Sequence, residues 1–392
     1  MRIGFLITLS KNDVDVLAGN IPSQRKQSFL LDLVDYYTSI GHEVFVITYS
    51  DQMPDQMIKN DNTTVYIVKR FNHGRLRAFL NFSHEITKVE RILKKERYDV
   101  LHAQWCYEMA SAALKIAPER TLITLHDWPD VVCPLIGNYY WKKRQRLGNS
   151  VLKRGINFTA VSPYIEETYK TKYGGRIVCI PNYISDGIIL DSNVSKKDNE
   201  VKKIISINNG FDNRKNVKTL IEAWGEIRSE VKAELHLYGN GYEKDGLAYQ
   251  WAIQNGVNLD GIEFHGCTDR KSVIAALRES DLLIHPSVEE SFGMTLIEAM
   301  ANKTVVIAGE KSGAVPWVLG YGKYGVLVDI MSKENIAQSA IALIKDSGRI
   351  KDLMAAGYDH ILETYTLNRV AERYLDMYKA IKGELDESSI MV

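Results

Sequence analysis

Two glutamates flank an apolar helical pattern in the second half of the chain, with seven residues between them. Glu290 lies in a short turn after the strand-like run DLLI, and Glu298 lies in the apolar-periodic segment that follows. Carboxylates bind vicinal hydroxyls, and the free amides of a helix N-terminus favour phosphate or sugar oxygens. Most glutamates are solvated surface residues, but the apolar neighbours of Glu298 indicate a carboxylate near the core that needs a partner. The pair is therefore a candidate site for a sugar-phosphate ligand.

The helix that carries Glu298 is predicted to begin at about Phe292, with Ser291 as its N-cap. Gly293 then falls in the first turn, where glycine lowers helix propensity. A glycine at this position is better explained if a ligand approaches the backbone closely. The pattern favours a ligand at the start of this helix.

Three other positions combine a strand end with residues able to bind a ligand. Arg214 and Lys215 stand at a strand-to-helix junction, where cations oppose the helix dipole unless an anion such as a diphosphate binds. His126 follows the apolar run 121–125, and ligands of open α/β sheets collect at the carboxyl ends of strands. A lone histidine is more often structural, but this position favours a functional role. Gly239 begins a glycine turn after the run 233–238, which alone is weakly informative.

Composition limits the class of protein. A chain of 392 residues predicts two domains, and 45% apolar with 25% charged residues is typical of a soluble globular protein. Zero net charge gives no indication of nucleic-acid binding. The four cysteines lack metal-like spacing, so we expect reduced thiols. Without a signal-peptide or membrane-span pattern, we expect a cytoplasmic protein with at most peripheral contact on the inner face of the membrane.

Short apolar runs alternate with helical patterns along most of the chain, which predicts parallel α/β sheets. The predicted strands are 2–9, 43–48, 64–68, 99–103, 121–125, 158–161, 176–180, 203–207, 233–238, 262–265, 282–285 and 304–308. The predicted helices include 24–40, 331–345, 350–364 and 367–382. Residues 10–23 are predicted to be a functional loop, 181–199 an interdomain linker and 383–392 a disordered tail.

Residues 139–154 form a basic segment that carries six Lys or Arg residues after Trp141 and no acidic residue. Such a segment can bind an anionic lipid-linked acceptor or the membrane surface. It can equally be an ordinary solvated helix, and the sequence leaves both interpretations open. A second basic patch at 69–77 could lie on the same face.

Several motifs resemble those of the family 4 retaining glycosyltransferases, also called glycosyl transferases group 1. The stretch HPSVEESFGMTLIEAMA at 285–301 matches the E-x7-E signature, and further landmarks are GHEV at 41–44, TLHD at 124–127, AVS at 160–162, IPNY at 180–183 and RKNVKTLIEAW at 214–224. The resemblance implies an α/β GT-B fold, in which two Rossmann-like domains face each other across a cleft. Residues 1–185 would form the acceptor-side domain and 200–365 the nucleotide-sugar domain. The helix 366–382 would pack back on the N-terminal domain.

The resemblance also implies roles for individual residues. Lys215 would contact the donor diphosphate with help from Arg214, while Glu290 would bind the donor sugar and Glu298 the ribose. His126 would reach the transferred sugar. The implied catalytic residues are thus His126, Lys215 and Glu290, and the remaining donor-binding positions are Ser291, Phe292, Gly293, Met294, Thr295 and Gly239. The chain departs from the family pattern at Gly210, where an arginine is usual, at Trp317, and at Asn302-Lys303-Thr304.

The function implied is a retaining, metal-independent glycosyltransferase of bacterial-type polysaccharide or glycolipid assembly. It would need no cofactor and would move a sugar from a UDP- or GDP-sugar to a hydroxyl of a glycan or lipid-linked acceptor. The sequence identifies no catalytic base. Two alternatives stay open: a sugar-nucleotide epimerase of the same architecture, and a catalytically silent nucleotide-sugar-binding subunit.

Overall fold

The computed structural model describes residues 1–21, 28–60, 62–194, 196 and 199–385, and they form two units, each built on a β-sheet. The first unit comprises Met1–Pro181 together with Leu367–Val392, and the second comprises Asn182–Thr366. Both sheets are parallel apart from one strand pair in the first. The predicted α/β class with two parallel-sheet domains is confirmed.

The sheet of the first unit has the strand order β3-β4-β2-β1-β5-β6-β7-β8, and only the edge pair β3–β4 is antiparallel within its described residues. Its strands are β1 (Arg2–Leu6), β2 (Glu43–Ser50), β3 (Gln56–Asn60), β4 (Thr63–Lys69), β5 (Val100–Gln104), β6 (Thr121–Leu125), β7 (Asn157–Ala160) and β8 (Val178–Cys179). Its first eight helices are α1 (Lys11–Leu17), α2 (Leu30–Ser39), α3 (Gly74–Phe79), α4 (Ser83–Leu93), α5 (Glu108–Ile116), α6 (Pro129–Ile136), α7 (Tyr139–Arg154) and α8 (Pro163–Tyr173).

The sheet of the second unit is parallel, in the order β11-β10-β9-β12-β13-β14. Its strands are β9 (Lys202–Ile207), β10 (Ala233–Tyr238), β11 (Ile262–Gly266), β12 (Leu282–His285), β13 (Val305–Gly309) and β14 (Val326–Val328). Its helices are α9 (Val217–Glu230), α10 (Leu247–Gln254), α11 (Arg270–Glu279), α12 (Met294–Ala301), α13 (Val315–Val318), α14 (Lys333–Lys345) and α15 (Ser347–Thr364).

The last helix, α16 (Leu367–Lys382), packs on the first unit, as predicted. The hydroxyl of Tyr37 in α2 donates a hydrogen bond of 2.6 Å to the backbone carbonyl of Ala371 in α16. The Tyr378 hydroxyl lies 2.7 Å from Nδ1 of His102 in β5. These buried polar contacts connect the end of the chain to the centre of the N-terminal sheet.

Burial on both faces explains why the central strands were visible in the sequence. Every residue of β5, β6 and β13 is buried, and a strand covered on both faces is an almost continuous apolar run. Because all these strands run parallel, their carboxyl ends lie along one edge of each sheet, where the candidate site residues are found.

Three segments differ from their predictions. The segment 10–23 contains helix α1. The predicted helix 24–40 is observed as α2 (Leu30–Ser39), Ser28 and Phe29 before it are not helical, and residues 22–27 lie outside the described part. The predicted linker 181–199 belongs almost wholly to the second unit. There Ile184 pairs with Thr366, and the amide of Leu190 donates to the carbonyl of Ala301. Residues 386–392 of the predicted disordered tail also lie outside the described residues.

Candidate active site

The strand ends β9 and β10 of the second unit meet at a glycine. Gly239 follows β10 with a φ of 115°, and a Cβ built there would lie 1.8 Å from the carbonyl oxygen of Asn208 after β9. Any side chain at position 239 would therefore push these two loops apart. The sequence placed Gly239 in a donor site, and the structure shows the packing reason for a glycine at this position.

Glu290 is held by residues from two different strand ends. Its Oε1 accepts a hydrogen bond of 2.6 Å from Nζ of Lys215, which stands just before α9, and lies 3.2 Å from Nε2 of His285 at the end of β12. A backbone hydrogen bond also joins the turn between His285 and Glu290 to the segment that carries Lys215. In it the amide of Val288 donates to the carbonyl of Arg214 at 2.8 Å. The structure thus brings together Lys215 and Glu290, which the sequence predicted separately.

The protonation states of this cluster follow from its contacts. Burial alone would raise the pKa of Glu290, but the hydrogen bond with His285 and the charge of Lys215 lower that pKa well below its ordinary value. An ionised carboxylate only accepts hydrogen bonds, so Nε2 of His285 must donate to it. Nδ1 of the same ring lies 3.4 Å from the hydroxyl of Thr295. The cluster therefore keeps Glu290 as a carboxylate in a fixed orientation.

Helix α12 begins at Met294, two residues later than predicted. The residue before it is Gly293, in a left-handed conformation with φ 95° and ψ 68°, and a Cβ there would approach the side chain of Leu296 to 2.8 Å. The prediction that Ser291 is the N-cap and that Gly293 lies in the first turn was wrong, since the chain needs a positive φ to enter the helix. The amides of Met294 and Thr295 lie in the first turn, where a helix leaves its N–H groups free of intrahelical partners.

The other residues of the signature divide between the core and the site. The Phe292 ring is buried against Trp317 and Tyr365. Ser291, Met294 and Thr295 are half-buried. The phenylalanine therefore anchors the loop, and the hydroxyl-bearing residues Ser291 and Thr295 stay within reach of solvent.

Glu298 has the charged partner that its apolar flank predicts. Its Oε1 lies 3.0 Å from Nη2 of Arg270, the first residue of α11. Burial raises the pKa of Glu298, and Arg270 opposes that rise. The sequence analysis missed Arg270, although a basic residue opening a helix after a strand and short loop is the same signal that singled out Lys215.

His126 follows β6 in the first unit, as predicted, and is half-buried. Its ring packs against Trp105, with 4.6 Å between ring centres, and Nε2 contacts the amide oxygen of Gln104. Burial lowers the pKa of His126 to about 3, so the imidazole is neutral near pH 7. Since Nε2 donates to Gln104, Nδ1 is left as the acceptor atom. The Gln104 amide nitrogen in turn lies 3.1 Å from Nε2 of His102, the residue bonded to α16.

Two family models match consecutive parts of the chain. The model described as Glycosyltransferase Family 4 matches residues 27–186, and the model described as Glycosyl transferases group 1 matches residues 189–360. The chain belongs to the family 4 glycosyltransferases. It is an enzyme that transfers glycosyl groups, and the E-x7-E stretch built around Glu290 and Glu298 lies within the group 1 match.

Known glycosyltransferases are similar over almost the whole length of the chain. N-acetyl-alpha-D-glucosaminyl L-malate synthase of Bacillus anthracis is 27% identical over 86% of this chain and 89% of its own. Phosphatidyl-myo-inositol mannosyltransferase of Mycolicibacterium smegmatis is 25% identical over 98% of this chain and 95% of its own.

Among solved structures, sucrose-phosphate synthase of Thermosynechococcus elongatus superposes with a TM-score of 0.78 at 17% identity, over 98% of this chain and 100% of the other. Anabaena Alr3699/HepE, solved in complex with UDP and glucose, superposes with a TM-score of 0.68 at 16% identity, over 97% of this chain and 100% of the other. These similarities assign the GT-B fold to this glycosyltransferase.

The departure from the family pattern at Gly210 has a local structural reason. Gly210 has a φ of 100°, its amide donates to the carbonyl of Asn240, and its carbonyl accepts from the hydroxyl of Tyr242 at 2.8 Å. The neighbouring Arg214 is half-buried, and its guanidinium has no ion-pair partner in the described part of the chain. The positive charge of this loop is thus carried by Arg214 and Lys215.

The basic segment 139–154 forms the continuous helix α7, but its charges do not all face solvent. Arg144 turns into the unit, where it pairs with Glu108 at 3.3 Å and lies 3.9 Å from the ring centre of Tyr107. Lys142 and Arg146 are exposed. No helix among the described residues of this glycosyltransferase is long and apolar enough to cross a membrane.

Proposed function

We propose that this glycosyltransferase is retaining and metal-independent, and that it moves a sugar from a nucleoside diphosphate-sugar to an acceptor hydroxyl. The observation that carries this proposal is the cluster of Lys215, Glu290 and His285 beside the start of α12. It combines a cation for a diphosphate, a fixed carboxylate for sugar hydroxyls and free helix amides for phosphate oxygens. The complex of Anabaena Alr3699/HepE with UDP and glucose supports a UDP-sugar as donor, and a GDP-sugar is the other candidate.

The donor would lie along the strand ends of the second unit. Lys215 and Arg214 would contact the diphosphate, and Glu298, oriented by Arg270, would bind the ribose hydroxyls. The backbone of residues 291–295 and the glycine turn at Gly239 would line the remainder of the donor site.

The reaction would proceed on one face of the sugar. The bond between the anomeric carbon and the diphosphate oxygen breaks, the acceptor oxygen bonds to that carbon, and the proton of the acceptor passes to the departing diphosphate oxygen. Lys215 would stabilise the charge that develops on the diphosphate. Oε1 of Glu290 is already engaged by Lys215 and His285, which favours a positioning and stabilising role over a covalent intermediate.

The relatives support an acceptor from polysaccharide or glycolipid assembly. One is named N-acetyl-alpha-D-glucosaminyl L-malate synthase, and the other, named phosphatidyl-myo-inositol mannosyltransferase, favours a glycolipid. A peripheral membrane contact at the cytoplasmic face is supported by exposed apolar and basic side chains on α3, α6 and α7, where α3 and α6 both pack against α7. Apolar side chains exposed there are Phe79, Leu135, Ile136 and Tyr139, and the exposed basic residues of α7 follow them.

A thermal-shift panel of UDP, GDP and their sugars tests the proposal, because a ligand that binds only the folded state raises its melting temperature. We expect one nucleotide series to stabilise the wild type and to stabilise Glu298→Ala less. The absence of any nucleotide-dependent shift would contradict the proposal.

The productive donor should then be incubated without acceptor. Conversion of the donor into an isomerised sugar would indicate the epimerase instead. A donor that binds but reacts with no acceptor in an acceptor panel would favour the silent subunit.

A further inference from the structure

A cavity of about 260 Å³ lies within the first unit, at the carboxyl ends of its central strands. Its lining includes Tyr49 near the end of β2, Arg70 after β4, Gln104 at the end of β5 and Asp127 after β6. Gln104 is also the residue that accepts the hydrogen bond of His126. The cavity is therefore adjacent to His126, which by the family resemblance would reach the transferred sugar.

Charged side chains at this cavity form a network of ion pairs and hydrogen bonds. Arg77 donates to Glu85 at 2.6 Å and to Oε1 of Glu108 at 3.3 Å. Arg144 donates to Oε2 of Glu108 at 3.3 Å, so both oxygens of that carboxylate face an arginine. Asp127 accepts a hydrogen bond of 2.9 Å from the hydroxyl of Tyr107. Glu108 is thus neutralised by two arginines, and Asp127 has one hydrogen-bond donor.

Hydrogen-bond donors, in contrast, remain unused. The side chain of Tyr49 is only 3% exposed, yet its hydroxyl has no partner within the described ranges. The same holds for the buried Nε of Arg144. The guanidinium of Arg70, which also lines the cavity, has no ion pair with any described residue. Buried donors without partners are costly, and the group that would satisfy them must supply acceptor oxygens.

We propose that this cavity, named here the oxyanion pocket, binds a carboxylate or phosphate group of the acceptor. The inference rests on the proposed function, because it takes the acceptor to bind the first unit beside His126. Arginine binds both groups through charge-assisted hydrogen bonds, and the Tyr49 hydroxyl adds a neutral donor. The cavity volume suits a small hydroxylated molecule or a lipid headgroup, and both sources present the same oxyanion.

Calorimetric titration of the full chain tests the oxyanion pocket directly. The free-molecule arm compares L-malate and inositol phosphate with uncharged myo-inositol. The lipid arm uses phosphatidylcholine vesicles with and without phosphatidylinositol. The test variants are Tyr49→Phe and Arg70→Gln, and the control is Arg91→Gln, an exposed arginine of α4 that does not line the pocket.

We expect an oxyanion probe to bind in at least one arm and uncharged myo-inositol not to bind. Each test variant should raise the Kd by about tenfold or more, since each removes one hydrogen bond to a charged group, whereas the control should not. Tyr49→Phe should also keep or raise the melting temperature, because the deleted hydroxyl bonds to no described residue. If the Tyr49 hydroxyl made a structural hydrogen bond instead, its removal would lower the melting temperature.

The outcomes separate this inference from the proposed function. Binding of malate or inositol phosphate that both test variants weaken indicates a free acceptor. Binding only of phosphatidylinositol vesicles, again weakened by both test variants, indicates a lipid headgroup. Failure of all these probes, or equal affinity of the wild type and both test variants, overturns the oxyanion pocket even if UDP still binds. Loss of nucleotide binding with retained oxyanion binding overturns the proposed function alone.

Discussion

Replacing Lys215 by methionine tests whether this cation acts on the diphosphate or only holds Glu290. The two side chains are 2.6 Å apart and only 12% and 16% exposed. Lys215→Met leaves Glu290 as a mostly buried carboxylate with the hydrogen bond from His285. Removing one partner of a buried ion pair costs about 3–5 kcal/mol of folding stability. We expect a loss near the lower end of this range, because His285 remains.

The effect on turnover has a different origin. Stabilisation of charge on a leaving group is worth about 3 kcal/mol, which corresponds to roughly a hundredfold in kcat. Lys215→Met should therefore lower kcat by about two orders of magnitude, with a smaller change in the donor KM. The assay is initial-rate transfer with the donor identified by the thermal-shift panel.

A double-mutant cycle with Glu290→Gln separates the effect of Lys215 on folding stability from its effect on turnover. Adding Lys215→Met to Glu290→Gln should cost little stability, because no charge is left unpaired, and should still lower kcat about a hundredfold. The control is Lys218→Met, which removes a lysine from the first turn of α9, close to the rings of Phe211 and Trp251. If Lys215→Met causes no further loss of turnover in the Glu290→Gln background, the lysine acts only through Glu290 and the reasoning is refuted.

The stability part of this prediction depends on pH. The pKa of Glu290 is held well below its ordinary value of 4.5 in the folded protein. A depressed pKa stabilises the folded state fully above the ordinary value, and this contribution is lost as the pH falls below it towards the folded pKa. The difference in unfolding free energy between wild type and Lys215→Met should thus be constant from pH 7 to about 5 and shrink at lower pH. A difference that grows on acidification would contradict the assignment.

Three further predictions concern the donor, the metal and the membrane. Glu298→Ala should raise the donor KM about tenfold or more and change kcat less, because ribose is remote from the reacting carbon; unchanged donor affinity would remove Glu298 as a ribose ligand. Turnover should survive EDTA, since in the proposed donor site Lys215, Arg214 and helix amides would contact the diphosphate; activity lost in EDTA and restored by magnesium or manganese would contradict this. Wild type should bind anionic vesicles in a salt-sensitive manner, at about 1 kcal/mol per basic residue. Replacing Lys142, Lys143 and Arg146 by glutamine should abolish this binding without affecting the donor; equal binding by the variant would contradict it.

The core of each sheet could be predicted closely because the signal is local. The runs 121–125, 233–238 and 282–285 were predicted with the bounds of β6, β10 and β12. Each strand lies between neighbours and beneath helices, so burial on both faces requires consecutive apolar residues. The amphipathic period of α16 was visible for the same reason, since one face of the helix is buried.

Elements that depend on a neighbour were missed. Strand β3 has the polar sequence QMIKN and forms only because antiparallel pairing with β4 satisfies its backbone. The start of α12 was misplaced because Ser291 has the better capping chemistry, whereas the path of the chain requires the left-handed conformation of Gly293.

The order of residues along the chain shows which charged groups stand at strand ends and helix starts, and hence the candidates Lys215, Glu290 and Glu298. The partners of these groups depend on the folded arrangement of the strands. Lys215 reaches Glu290 across 75 residues, and Arg270 reaches Glu298 across 28. The order of strands within a sheet brings such distant segments together, and no local pattern encodes that order. Arg144 shows the same limit, because a residue of a basic surface segment turns inward once α5 places Glu108 beneath it.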